Sequence, residues 1–99
     1  MRKLDVFRIE GDLYLVVQAD HLLVLNTVIL VPVTPAEMFP AISKLTVDVQ
    51  IEGRACHVRT HMPLTVSAAR LRSLTPICQL SPDEGQKVMD GLNTILWGL

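Results

Sequence analysis

Apolar and polar residues alternate most cleanly over Thr46-Val47-Asp48-Val49-Gln50-Ile51, which predicts a half-buried strand with Val47, Val49 and Ile51 on the core side. Glu52-Gly53 then supplies turn chemistry. From Arg54 to His61 the alternation resumes, with Cys56, Val58 and Thr60 on one face and Ala55, His57, Arg59 and His61 on the other. These two runs predict a hairpin. A second hairpin is predicted where Leu4, Val6 and Ile9 lead into Glu10-Gly11-Asp12, followed by a β-branched and aromatic run from Leu13 to Gln18. Val28 to Val33 is continuously apolar and closes at Pro32-Val33-Thr34-Pro35, the pattern of a strand buried on both faces. Thr34-Pro35-Ala36-Glu37 has the form of a capping box and predicts a short helical connector, which Pro40 limits to about a turn. Leu64-Thr65-Val66 reads as another short strand. Ala68 to Leu74 fits neither the helical nor the strand period.

The pattern changes at Ser81-Pro82-Asp83-Glu84, which combines an N-cap hydroxyl, a proline at the first helical position, acidic residues near the positive end of the dipole and a glutamate three after the cap. A helix starts there. Val88, Leu92, Ile95 and Leu96, flanked by Met89, form an apolar stripe that predicts packing on the sheet. At ~100° per residue, Trp97 projects away from the Leu92/Ile95 direction, close to the azimuth of Asn93. The only tryptophan is therefore either folded back over the sheet edge or kept for a partner. Mostly antiparallel strands followed by one terminal helix describe a single α+β domain over residues 1–99 with a barrel-like, strongly twisted sheet.

Composition narrows the function. Nine Lys/Arg against ten Asp/Glu give a formal charge of -1, so no global field attracts a polyanion. The apolar share of 49% is high for a chain of 99 residues and suggests a buried subunit interface. Asp5, Arg8 and Glu10 interrupt any secretory h-region, and the apolar stretch from Leu22 to Val33 is broken by Asn26-Thr27. The expectation is a cytoplasmic protein without a membrane span. Cys56 and Cys78 lack metal-ligand spacing and read as reduced thiols, Cys56 in the core.

No nucleotide-binding, zinc-protease or nucleophile-elbow motif occurs, so neither a cofactor nor a metal is expected. His57, Arg59 and His61 share one strand face and have the chemistry of a general base, a phosphate clamp and a general acid on RNA. The plainer account is a solvated outer face. His21 beside Asp20 likewise reads as a solvated loop imidazole.

Asn93-Thr94-Ile95-Leu96-Trp97-Gly98-Leu99 resembles the ending of the CcdB toxins, Asn-x-x-aromatic-Trp-Gly-Ile. Val17-Gln18-Ala19-Asp20, Val31-Pro32-Val33 and Met62-Pro63-Leu64-Thr65-Val66 are similar to further family segments in the same order. The resemblance implies a homodimer with a five-stranded antiparallel sheet, a small second sheet and a C-terminal helix, an SH3-like barrel related to the MazF ribonuclease toxins. It also implies a toxin that is not an enzyme, binds the DNA gyrase A subunit, and traps gyrase on cleaved DNA. The implied gyrase-facing residues are Trp97, Gly98, Leu99, Asn93 and Leu22. The implied partner is a CcdA-like antitoxin with a disordered tail, whose complex with the toxin contacts DNA and represses the shared operon. Leu96 and His21 depart from the family pattern, which has an aromatic and an aliphatic residue there. The alternatives are a MazF-like endoribonuclease using the His57/Arg59/His61 face and a non-toxic antitoxin-binding homologue.

Overall fold

A computed structural model describes residues 1–38, 40–42 and 45–98. Strands β1 (Asp5–Ile9) and β2 (Asp12–Val16) form the first hairpin, and β4 (Thr46–Ile51) and β5 (Arg54–Arg59) the second. Each is closed by two residues with positive φ, Glu10-Gly11 and Glu52-Gly53. Positive φ at both central positions suits the right-handed twist of the flanking strands, and glycine at the second position removes half of the steric cost.

Between the hairpins lies β3 (Thr27–Pro35). One edge of β3 pairs with β2, Leu13 to Val16 facing Val33 to Leu30. Its other edge is shared. The first part, Thr27 to Leu30, takes β6 (Leu64–Ser67), and the last part, Val33 to Pro35, takes β5. The expected small second sheet is thus a branch that leaves the main sheet through β3. With β7 (Cys78–Gln79) beyond β1, the path is β4-β5-β3-β2-β1-β7, and the pairings are antiparallel.

Two apolar clusters lie on opposite faces of this sheet, because neighbouring residues of a strand point opposite ways. Val6, Leu15, Val31, Val33, Val49 and Val58 build one, roofed by α2 (Pro82–Trp97) through Val88. Phe7, Val16, Val28 and Leu30 build the other, roofed by Ala68 and Leu71 of α1 (Ala68–Arg72), a single turn of helix in the ambiguous stretch. Cys56 belongs to the first cluster, and burial pushes its thiol up.

Two expectations need correction. Thr34 and Pro35 continue β3 opposite His57 and Cys56, so no helix starts at Thr34. The pairing partner supplied by β5 outweighs the local capping signal. Nor is β3 buried throughout: Ile29 is 42% exposed, since α2 rests on β4 and leaves the first residues of β3 uncovered on that face.

Candidate functional site

The start of α2 is built as its sequence demands. Ser81 Oγ accepts from the Glu84 N–H at 3.2 Å, while Glu84 Oε1 accepts from the Ser81 N–H at 3.3 Å. Both bonds satisfy amides that the helix itself leaves unpaired. Glu84 Oε2 also accepts from the Gln50 N–H at 3.2 Å, which ties the helix start to the hairpin end of β4. Seven residues on, Gly91 lies against Thr60 just past the end of β5. Helix α2 therefore runs from the Glu52-Gly53 turn toward the opposite end of the sheet.

Beyond Leu92 the sheet no longer supports the helix. Leu92 is partly buried, but Ile95 is 38% and Leu96 71% exposed, contrary to the expected stripe through both residues. Trp97 is 73% exposed, and Asn93, one turn earlier, is also exposed. Gly98 closes the helix at φ 71, its N–H donating to Thr94 O at 2.8 Å. That left-handed cap suits glycine and satisfies a terminal carbonyl. Leu99 lies outside the described residues.

Leu22 sits in the β2–β3 connection, at the end of a short 3-10 turn, Asp20–Leu22, where it is 42% exposed. His21 is exposed there too, as its loop position led us to expect. β3 and β5 are antiparallel with Val33 opposite Val58, so going from Val58 to Thr60 along β5 leads toward the start of β3. The loop holding Leu22 precedes that start, and α2 points Trp97 the same way. Both therefore emerge at one end of the sheet, though they are carried by separate elements. Val24 and Leu25 of the loop are exposed as well, and the sequence reading passed over them. An apolar run beside Asn26 was their only signal.

The sequence matches the family described as CcdB protein over residues 5–98. The chain belongs to the CcdB family. Among solved structures, this CcdB-family chain is similar to an endoribonuclease from mycobacterial species, with TM-score 0.82, 17% identity, and coverage of 100% of this chain and 92% of that one. An endoribonuclease in complex with its cognate antitoxin, also from mycobacterial species, gives TM-score 0.80 at 18% identity, covering 100% and 96% of the two chains. A MazE-MazF structure from Deinococcus radiodurans gives 0.75 at 17% identity, covering 97% and 95%. At these identities the likeness concerns the fold, the curled antiparallel sheet with its C-terminal helix. No curated protein matches the sequence.

The other candidate constellation differs from its expected form. His57 and Arg59 lie on β5, but His61 falls in the turn after the strand ends. The face is not solvated. Arg59 is 5% exposed, its Nε donating to Thr34 Oγ1 at 3.1 Å and its Nη1 to Pro40 O at 3.0 Å. The segment after β3 folds over it, which alternation within one strand does not foretell. His57 Nε2 lies 3.1 Å from Asp48 Oδ1, and its Nδ1 is buried without a hydrogen-bond partner among the described residues. A guanidinium held this way is a structural tie between β5, β3 and the following segment. A cleft of about 650 Å³ opens nearby between the two hairpin tips, lined by Leu13, Tyr14, Thr34 and Arg54 among others. Arg54 is paired with Glu37, and that hydrogen bond lowers the Glu37 carboxyl. Among the described residues no group of three His, Cys, Asp or Glu side chains is placed to hold a metal ion, and no helix is long and apolar enough to cross a membrane.

Proposed function

We propose that this chain is the toxin of a toxin-antitoxin pair and poisons DNA gyrase by docking on the gyrase A subunit. The observation that carries the reading is Trp97, 73% exposed on a helix end that has left the sheet. A tryptophan removes ~150 to 250 Å² from water when covered, and stacking on a guanidinium adds cation–π attraction of ~1 to 2 kcal/mol. Asn93 and Gly98 complete the contact from the same helix end, with Leu99 next in the sequence, and Leu22 joins from the β2–β3 loop. A homodimer presents the set twice to a two-fold target, so a few anchors suffice. Poisoning of this kind requires no catalytic group and no cofactor; it holds gyrase on cleaved DNA by binding. An antitoxin with a disordered tail would compete for this surface, folding as it binds, and would carry the complex to operator DNA. The setting is the cytoplasm, where gyrase works.

Induced expression with pull-down of the gyrase A subunit tests the reading. Wild-type protein should retain gyrase A and arrest growth, and deletion of Trp97 to Leu99 should abolish both. Arrest that persists after this deletion would sink the proposal. The ribonuclease alternative draws on the fold neighbours named endoribonucleases and on the Thr34–Arg59 hydrogen bond. The burial of Arg59 weighs against it. RNA cleavage by purified protein, lost in Arg59→Ala, would put this alternative in place of the first.

A further inference from the structure

The ten residues between Val16 and Thr27 carry three exposed apolar side chains, Leu22 (42%), Val24 (80%) and Leu25 (50%), yet the loop is tied down from several sides. Its central tie is Gln18, a polar side chain only 7% exposed. Gln18 Nε2 donates to Leu22 O at 2.7 Å and to Thr27 O at 3.3 Å, and Oε1 accepts from the Ile29 N–H at 3.0 Å. Both amide hydrogens and the carbonyl are thereby used. Next to them the Val17 N–H donates to Ile29 O at 3.2 Å, so the side chain continues the ladder that the backbone abandons. Three outer ties complete the frame. Asp20 Oδ1 accepts from the Lys3 N–H at 2.7 Å, Leu23 O from Arg72 Nη2 at 3.2 Å, and Asn26 O from the Ala68 N–H at 2.8 Å.

A loop that holds apolar side chains in water in one fixed shape is preorganised for a partner, because the ordering cost falls on folding and not on association. We propose that Gln18 is a positioning residue for partner docking, acting through Leu22 by fixing the loop from Ala19 to Asn26. The proposal rests on the reading that Leu22 meets the gyrase A subunit. Only a neutral side chain with two donors and an acceptor meets the site's demands. Glutamate would turn acceptor lone pairs toward two carbonyls, and methionine would fill the volume without bonding.

The test is a double-mutant cycle on the full chain, measuring affinity for the purified gyrase A subunit together with thermal unfolding. Gln18→Met should weaken binding about tenfold in the wild-type background and leave it nearly unchanged in Leu22→Ala, since the lever it acts on is gone. Combined with Trp97→Ala, its effect should instead add. Hydrogen exchange at the Ile29 amide should quicken in Gln18→Met. Should that variant fail to fold, Arg72→Ala removes only the surface tie to Leu23 O and should weaken binding about twofold with the same dependence on Leu22. Unchanged affinity, or equal weakening with and without Leu22, overturns the positioning role. Wild-type protein that does not bind gyrase A at all overturns the gyrase reading, and the positioning role with it.

Discussion

The two halves of α2 carry one amphipathic pattern and end in different surroundings. From Ser81 to Gly91 the helix lies on the sheet: Gly85, Val88 and Gly91 are buried, and a Cβ at Gly91 would sit 3.0 Å from Thr60 Oγ1. Beyond Leu92, which still packs against the first cluster, the apolar spacing continues through Ile95 and Leu96, but β5 has ended at Arg59 and these side chains turn to water. An apolar stripe therefore records that a face needs cover, not what covers it. The length of the sheet decides where folding stops using the stripe.

Changes placed on either side of Gly91 separate the two uses. The largest effect is expected from Trp97→Ala, which should weaken gyrase A binding about 100-fold, or ~3 kcal/mol, as for a hot-spot tryptophan. Its melting temperature should stay within about 2 °C of wild type, because the side chain lies largely in water. A large drop in melting temperature would place the ring in the core and erase the contrast. In the first half, Val88→Ala removes a fully buried side chain and should cost about 2 kcal/mol, lowering the melting temperature by roughly 8 to 16 °C. The folded fraction should still bind with wild-type affinity in a titration.

Gly91→Ala is a finer probe of the same contact. Thr60 is buried and its hydroxyl donates to Leu45 O at 2.8 Å, so it gives little when a methyl arrives at 3.0 Å. Crowding outweighs the helix-propensity gain, and denaturant titration should show a net loss of about 1 kcal/mol. The smallest effect concerns Cys56, beneath the roofed half. Burial raises its thiol above the ordinary range, so the unfolded chain ionises first as pH rises. The thiol's contribution is complete well below the ordinary thiol value of about 8.5 and declines as pH rises past it. Between pH 8 and pH 10 the wild type should therefore lose slightly more stability than Cys56→Ala, a difference that urea titration at the two pH values checks. Trp97→Ala should show the wild-type loss.

Both hairpins were legible because alternation and turn chemistry agree: Glu-Gly occupies the two positive-φ positions in each. The capping box at Ser81 was legible for the same reason, since cap, proline and glutamate all point to one structure. Thr34-Pro35 carried the same local signal and was misread, because the strand partner that overrides it lies more than twenty residues away, at His57 and Cys56. Arg59 was misread as solvated for a related reason: its cover comes from Pro40, outside its own strand. On the docking side, the direction of Trp97 followed from helical geometry alone. Gln18 did not, because its three bonds depend on where β3 returns, and a glutamine after an apolar run has no periodic signature.

The shared edge of β3 has a consequence for how the molecule comes apart. Remove β3 and what is left is the β1-β2 hairpin with the two-residue β7, the β4-β5 hairpin under α2, and the stub β6, no longer joined into one sheet. Both apolar clusters draw residues from β3, Val31 and Val33 for one and Val28 and Leu30 for the other. Loss of that single strand would open both faces together, so the chain unfolds as one cooperative unit. A cellular protease then encounters either the whole closed molecule or a fully open chain, and turnover is governed by how often the latter appears.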